Sequence, residues 1–241
     1  MKTLLFIIIS LVSGVMAGEV LTVINLFVVE PITDKAIGVE TQKDVAKGEK
    51  VDLGQLSSYR IWQKSGTFLA GALIGMAYGS LLGVAFVFAR KYLPTSDDRK
   101  KAILLAVLMY LAIYLVPFSK YPANPPSAGN PDTITLRQHL YTTYQITSVA
   151  IAIAMGILFF KYRNVDKIQY IVPAVYVILI ASIYFLWPSN PDRIETPMNI
   201  VNSFRALTAV TMAVFFMFIG IFLGLLWNKF KPHEAAKINA I

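Results

Sequence analysis

The sequence predicts an all-α integral membrane protein, a bundle of about six transmembrane helices. Hydrophobic residues make up 56% of the 241-residue chain, charged residues make up 15%, and the mean hydropathy is +0.59. The apolar residues fall in runs close to the length of about 17–25 residues that a helix needs to cross a bilayer. Because these runs are continuous and not alternating, they predict helices and not a β-barrel.

We predict a single transmembrane domain, residues 1–241, with six spans and three longer outer loops. The spans are 4–29, 66–89, 102–118, 141–160, 168–187 and 206–227, and the outer loops are 31–65, 119–140 and 188–205. The start of span 1, MKTLLFIIISLVSGVMAGE, is similar to a secretory signal. Cleavage would leave VLTVINLFVV too short to cross the membrane, so we predict an uncleaved first helix.

Lys and Arg are frequent at the two chain ends and in the second and fourth loops, which include 90–101 and 161–167. The longer first loop, 31–65, has six of them, but its five acidic residues nearly cancel their charge. By the positive-inside rule, both termini are predicted to be cytoplasmic, in a multi-pass protein of the cell membrane. The formal charge of +8 then reflects anchoring at the inner face and not nucleic-acid binding. The chain has no cysteine, which excludes disulfides and thiolate metal sites within it.

Two sequence patterns predict how the spans are arranged. The third and fifth loops contain GNPDTI (129–134) and SNPDRI (189–194), which indicates either repeated helical hairpins or shared turn chemistry. Small residues recur every four positions in span 1 and span 2, which predicts close contact between these helices. They are Ser10, Gly14 and Gly18 in span 1 and Gly71, Gly75, Gly79 and Gly83 in span 2, and span 6 has Gly220 and Gly224.

Glu19 lies inside span 1, where a carboxylate must be protonated, paired or hydrated. Glu30 closes the same span before Pro31 and is predicted on the same helix face, about 16 Å away along the axis. The two carboxylates could mark two stations for an ion, or each could have a structural role.

Span 4 opens with RQHLYTTYQITS, which is polar on every side and is therefore predicted to be buried in the bundle or to line water. His139 could ligate a metal, relay protons or form a structural hydrogen bond. Span 6 opens with Asn202 and Arg205 on one face, and Arg205 could pair with Glu19, Asp132 or Asp192.

The segment PFSKYPANPPSAGNPDTI (117–134) is predicted to form a stiff outer loop, because each proline fixes its backbone φ. It could be a lid over Glu30, His139 and the polar half of span 4, or it could only connect two helices.

This segment, together with VVEP at the end of span 1, resembles the archaeal type of the CbtA family of cobalt transporter subunits, from span 1 to span 6. The resemblance implies an integral membrane protein of five or six spans that transports Co²⁺ with a small partner membrane subunit. The residues of this chain to which the resemblance assigns a functional role are Glu30, Pro31, Asn124, Pro125, Pro126, Asp132 and His139.

The predicted function is therefore transport of a divalent metal cation, with cobalt favoured, by a protein that is not an enzyme and holds no permanent cofactor. Glu30, Asp132 and His139 are the predicted metal ligands, and the predicted transport path contains Glu19, Tyr141, Gln145, Asn202 and Arg205. Co²⁺ binds imidazole well and the chain offers one plausible histidine, so a partner could supply further nitrogen ligands.

Two other functions stay open. The chain could be a non-catalytic subunit of a larger membrane complex of respiratory or oxidase type. A lipid-acting enzyme with His139 as base is a third idea, but no nucleophile is placed beside that residue. The sequence has none of the motifs G-x-x-x-x-G-K-[ST], H-E-x-x-H and G-x-S-x-G, so it contains no P-loop for ATP hydrolysis.

Overall fold

The computed structural model describes residues 2–126 and 128–234, and this part of the chain is helical and contains no strand. The described helices are α1 (Thr3–Val28), α2 (Glu30–Ala46), α3 (Leu53–Ala89), α4 (Asp98–Lys120), α5 (Pro131–Lys161), α6 (Ile168–Leu186) and α7 (Met198–Phe230). Six of them, all but α2, are long and apolar enough to cross a membrane. The predicted all-α bundle of about six spanning helices is confirmed.

The bundle has two unlike ends. The proximal end holds both described chain ends, since the Lys2 amide donates to the Pro232 carbonyl at 3.2 Å, together with the turns 90–97 and 162–167. The distal end holds α2 and the connections 121–130 and 187–197.

Three helices are longer than a bilayer is thick. Helices α3, α5 and α7 have 37, 31 and 33 residues, which correspond to about 55, 46 and 50 Å against a hydrocarbon core of about 30 Å. Short proximal turns align α3 with α4 and α5 with α6, so the surplus projects at the distal end. We call the projecting part, residues 30–65, 121–140 and 187–205, the distal cap.

The predicted outer loops are consequently helical over much of their length. Span 1 also ends earlier than predicted, because Pro31 has no amide hydrogen and the helix is interrupted at Val29. Glu30 is the first residue of α2 and not the last of the first helix, so the calculation that placed it on one face with Glu19 does not apply.

Glycines bring α1 and α3 into backbone contact, as predicted. A Cβ atom built on Gly14 would lie 2.0 Å from the Gly75 carbonyl oxygen, and one built on Gly18 would lie 2.0 Å from the Gly71 carbonyl oxygen. Helices α4 and α7 approach in the same way, since a Cβ on Gly220 would lie 2.9 Å from the Ile103 Cα. The two close pairs meet in a core that includes the buried side chains of Phe86, Phe215, Phe216, Leu223 and Trp227.

The middle of α4 is a π-helical turn, Tyr110–Leu115. Such a turn is wider than an α-helical one and leaves carbonyl groups without their usual partners. The Gln145 side chain of α5 donates from Nε2 to the Ile113 carbonyl at 2.8 Å, and Ser148 Oγ lies 3.5 Å from the Ala112 carbonyl. Polar side chains of α5 therefore complete the hydrogen bonding of α4.

At the proximal end, a side-chain cluster ties the chain's last described residues to the bundle. Arg90 binds both carboxylate oxygens of Asp98 at 2.6 Å and donates to His233 Nε2 at 3.1 Å, and the imidazole stacks on Trp227. Burial of the imidazole and the neighbouring Arg90 charge lower the pKa of His233 below its ordinary value.

We expect Gly75→Ala to destabilise the protein by about 1–3 kcal/mol, because its Cβ would lie 2.2 Å from the Gly14 carbonyl oxygen. Gly156→Ala is the matched control, since a Cβ there meets nothing within 4 Å. Unfolding of both purified variants in detergent checks the expectation, and equal midpoints would contradict the described packing.

We expect the segment after Phe230 to detach as the pH falls. Docking lowers the pKa of His233, so the detached segment binds a proton at a higher pH than the docked segment does. The docked form is therefore favoured fully at a pH well above an ordinary histidine pKa of about 6.5, and it is progressively lost as the pH falls below that value. Cleavage after Glu234 by a glutamyl endopeptidase should accelerate between pH 7.5 and pH 5.5, after correction for the protease's own pH dependence. His233→Gln keeps an acceptor without a titratable ring, and an equal acceleration in that variant would refute the assignment.

Candidate functional site

The distal cap contains a half-open cavity of about 580 Å³, which we call the vestibule. Its roof is the stiff segment 121–126, and its walls come from the end of α4 and from one face of α5. Residues with polar groups in the lining are Glu40, Tyr114, Tyr121, Asn124, Arg137, Tyr141 and Asn190. The proline-rich loop covers this cavity, but Glu30 and His139, two of the residues over which a lid was predicted, are not among the lining residues.

The two Asn-Pro-Asp motifs form the same local turn. The Asp132 amide donates to Asn130 Oδ1 at 3.0 Å, and the Asp192 amide donates to Asn190 Oδ1 at 3.0 Å. The two copies then differ, because the first motif continues directly into α5 whereas the second is followed by irregular chain up to α7. The shared turn is a fact of local geometry, and the repeated hairpins stay a prediction.

The second motif docks onto the first through Asp192, whose side chain is only 4% exposed. Its carboxylate accepts hydrogen bonds from the Asn130 amide at 3.0 Å and from Thr133 Oγ1 at 2.7 Å, and it lies 3.0 Å from Arg137 Nε. These contacts also place a negative charge at the amino-terminal end of α5, where the helix dipole favours it. Asp192 therefore fixes the α5 wall of the vestibule.

Arg205 fastens the roof. It donates from Nη2 and Nε to Asn124 Oδ1, at 2.7 and 3.2 Å, which joins the proline-rich loop to α7. The predicted pairing of Arg205 with Glu19, Asp132 or Asp192 is wrong. Asp192 is taken by Arg137, and an amide oxygen brought over by the loop fills the place expected for a carboxylate.

Aromatic rings close the vestibule toward the proximal end. Phe118 and Tyr114 line the cavity, and Tyr110 continues the stack down α4, with ring centroids 5.4 and 5.8 Å apart. Below them, Tyr110 and Tyr78 contact Phe216, at 5.8 and 5.3 Å. The vestibule therefore leads to a layer of aromatic rings in the bundle core.

Glu30, a predicted metal ligand, is in an ion-pair network of the distal cap. It binds Arg60 of α3, which also binds Asp34 at 2.9 Å, and Lys64 binds Asp34 at 2.7 Å. Burial would raise the pKa of Asp34, but hydrogen bonds from Lys64 and Arg60 outweigh it and hold that pKa below its ordinary value. The network attaches α2 to the projecting part of α3.

The structure does not gather the predicted metal ligands into one cluster. Asp132 and His139 are exposed, and no group of three or more His, Asp or Glu side chains in the described ranges is arranged to hold a metal ion. Their metal-binding role stays a prediction. Asn202 of the predicted path is also exposed, on the first turn of α7.

Of the two alternatives predicted for the polar start of α5, burial in the bundle is wrong for most of its residues. Gln138, His139, Thr142 and Thr143 are exposed, and among the polar side chains of this stretch only Tyr144 and Ser148 are fully buried. The reason is the helix length, because α5 projects beyond the hydrocarbon and its first turns are in the distal cap.

Glu19 remains inside the spanning part of α1. Its side chain is half-buried and makes no hydrogen bond or ion pair with any residue the structure describes. Of the other predicted path residues, Tyr141 lines the vestibule, and Gln145 donates a hydrogen bond to the Ile113 carbonyl of the π turn.

The sequence did not predict the docking role of Asp192 or five of the polar lining residues, which are Glu40, Tyr114, Tyr121, Arg137 and Asn190. The repeated Asn-Pro-Asp motif was the available signal, because two matching turns in adjacent loops can meet at the same membrane face.

The sequence matches one family model over residues 4–228, nearly the whole chain, and the family is described as "Probable cobalt transporter subunit (CbtA)". No curated protein and no solved structure matches the chain.

We expect Asp192→Asn to destabilise the distal cap by about 1.5–3 kcal/mol, because it weakens charge-assisted hydrogen bonds in a buried position. Asp132→Asn, the same change in the exposed copy of the motif, should cost less than about 0.5 kcal/mol. Proteolysis of the 121–130 loop and unfolding midpoints measure both. Equal effects of the two changes would contradict the assignment of the buried docking role to Asp192 and not to Asp132.

Proposed function

The chain belongs to the CbtA family and is a multi-pass membrane subunit for metal-cation transport, and we propose that the vestibule is the site where the cation enters from outside. One observation carries the proposal: the cavity lies in the distal cap, above the bundle, and ends at aromatic rings. This is the arrangement expected of a transport protein that is open on one side and closed on the other.

The proposed orientation follows from the basic residues. Arg90, Lys91, Arg99, Lys100 and Lys101 all lie at the turn between α3 and α4, at the proximal end. The positive-inside rule then places that end and both termini in the cytoplasm, with the distal cap outside the cell membrane.

The proposed path begins on the cap. Asp132 and His139 are exposed there and can meet a hydrated cation, whereas Glu30 is already neutralised by Arg60. Inside the vestibule, the oxygens of Tyr141 and Asn190 are available, and Asn202 and Arg205 lie on the projecting first turns of α7. Gln145 acts on this path by holding the π turn.

Glu19 is the proposed relay below the vestibule. A carboxylate at membrane depth that lacks a fixed partner can exchange a proton or a cation, and this fits a role in coupling better than a role in packing. Cobalt is the proposed cargo, and we propose no resident cofactor and no catalytic activity.

The word "subunit" in the family description implies a partner protein in a transporter complex. We propose a small membrane subunit that supplies nitrogen ligands, because His139 and His233 are the only histidines of this chain. The alternative of a respiratory or oxidase-type complex is not favoured, since the family match points to transport.

Glu19→Gln should reduce the uptake of ⁵⁷Co at least tenfold, while the protein stays folded and membrane-inserted. The measurement is ⁵⁷Co accumulation in host cells in which the gene is deleted and restored as wild type or variant. Glu49→Gln is the control, because Glu49 is exposed in the connection between α2 and α3. Unchanged uptake by Glu19→Gln would show that Glu19 is not on the transport path. Wild-type uptake no higher than in the deletion strain would contradict the proposed function.

A further inference from the structure

The size of the vestibule is unlike that of a bare-ion site. A divalent cation with six waters needs about 180 Å³, at about 30 Å³ for each water. The cavity measures about 580 Å³, which lies within the range of about 300–1,000 Å³ that small organic ligands occupy. The vestibule has room for a cation together with an organic ligand.

The lining also differs from that of a bare-ion site. Rings and prolines form much of the lining, which includes Tyr114, Phe118 and Tyr141 as well as the prolines of the roof. Glu40 is the carboxylate among the lining residues and is itself exposed. Apolar and aromatic walls with a few polar groups are typical of sites for small organic molecules.

Two guanidinium groups lie at this site, Arg137 in the lining and Arg205 next to the roof, and the charge of Arg137 is paired with Asp192 at 3.0 Å. Arg137 lines the cavity, and its Nη1 has no hydrogen-bond partner among the described residues, although Nε and Nη2 are bound. Arg205 is half-buried next to the roof and is held by an amide oxygen that carries no charge. The free N–H groups of Arg137 Nη1 can donate to a carboxylate of an organic ligand, whereas a bare cation has no use for a donor.

We infer that the vestibule binds the cation as a small carboxylate complex, of about the size of cobalt citrate, and not as the aqua ion. The organic ligand fills the space between the aromatic wall and the proline roof, and one of its carboxylates accepts a hydrogen bond from Arg137 Nη1. This inference rests on the proposed function and names the chemical form of the substrate.

The test compares two chemical forms of cobalt in host cells that carry the wild-type gene, with the deletion strain as background. Equal total ⁵⁷Co is supplied as chloride in a non-chelating buffer or with an excess of citrate or malate. We expect at least one of the two complexes to be taken up at least tenfold faster than the chloride. Faster or equal uptake of the chloride would overturn this inference and leave the proposed function standing.

A second measurement is independent of uptake. The purified protein should retain [¹⁴C]citrate or [¹⁴C]malate in the presence of cobalt, and Ile134→Trp should reduce this retention at least fivefold by filling the cavity. Leu136→Trp is the matched control, because Leu136 is 50% exposed, Ile134 is 46% exposed, and only Ile134 lines the vestibule. Absence of retention, or equal retention by the two variants, would overturn the inference. No uptake of either cobalt form above background would overturn the proposed function as well.

Discussion

The distal half of the molecule depends on the buried carboxylate of Asp192. It joins two parts of the chain that are 55 to 62 residues apart in sequence, because it binds the Asn130 amide, the Thr133 hydroxyl and the Arg137 guanidinium at once. A proline-rich loop alone limits its own conformations but has no fixed position on the bundle. With Asp192 in place, the start of α5 is held, and the cavity wall formed by Arg137 and Tyr141 has a defined shape.

The second constraint is the difference between helix length and bilayer thickness. Hydropathy locates the apolar segments well, so the number of spanning helices and the glycine contact between α1 and α3 could be predicted from sequence. Hydropathy does not show where a helix continues into water. The first turns of α3, α5 and α7 were therefore read as loops, and the polar start of α5 was read as lying at membrane depth.

The candidate site was less predictable for a related reason. Its lining comes from α2, α4, α5 and two loops, and a single sequence does not show which of several similar polar residues meet. Asp132 and Asp192 occupy equivalent positions in identical Asn-Pro-Asp turns, yet one is exposed and the other is buried. Arg205 likewise found an amide in place of a carboxylate, because the tertiary path of the roof decides which oxygen is near.

The π turn of α4 has a consequence for motion. It holds one residue more than an α-helical turn, and that surplus can move along a helix without changing where the helix begins or ends. A shift of one position rotates the residues it passes by about 100° around the axis. Tyr110 and Tyr114 lie within this segment, so a shift would turn one ring that lines the vestibule and one ring below it, while the two ends of α4 stay in place.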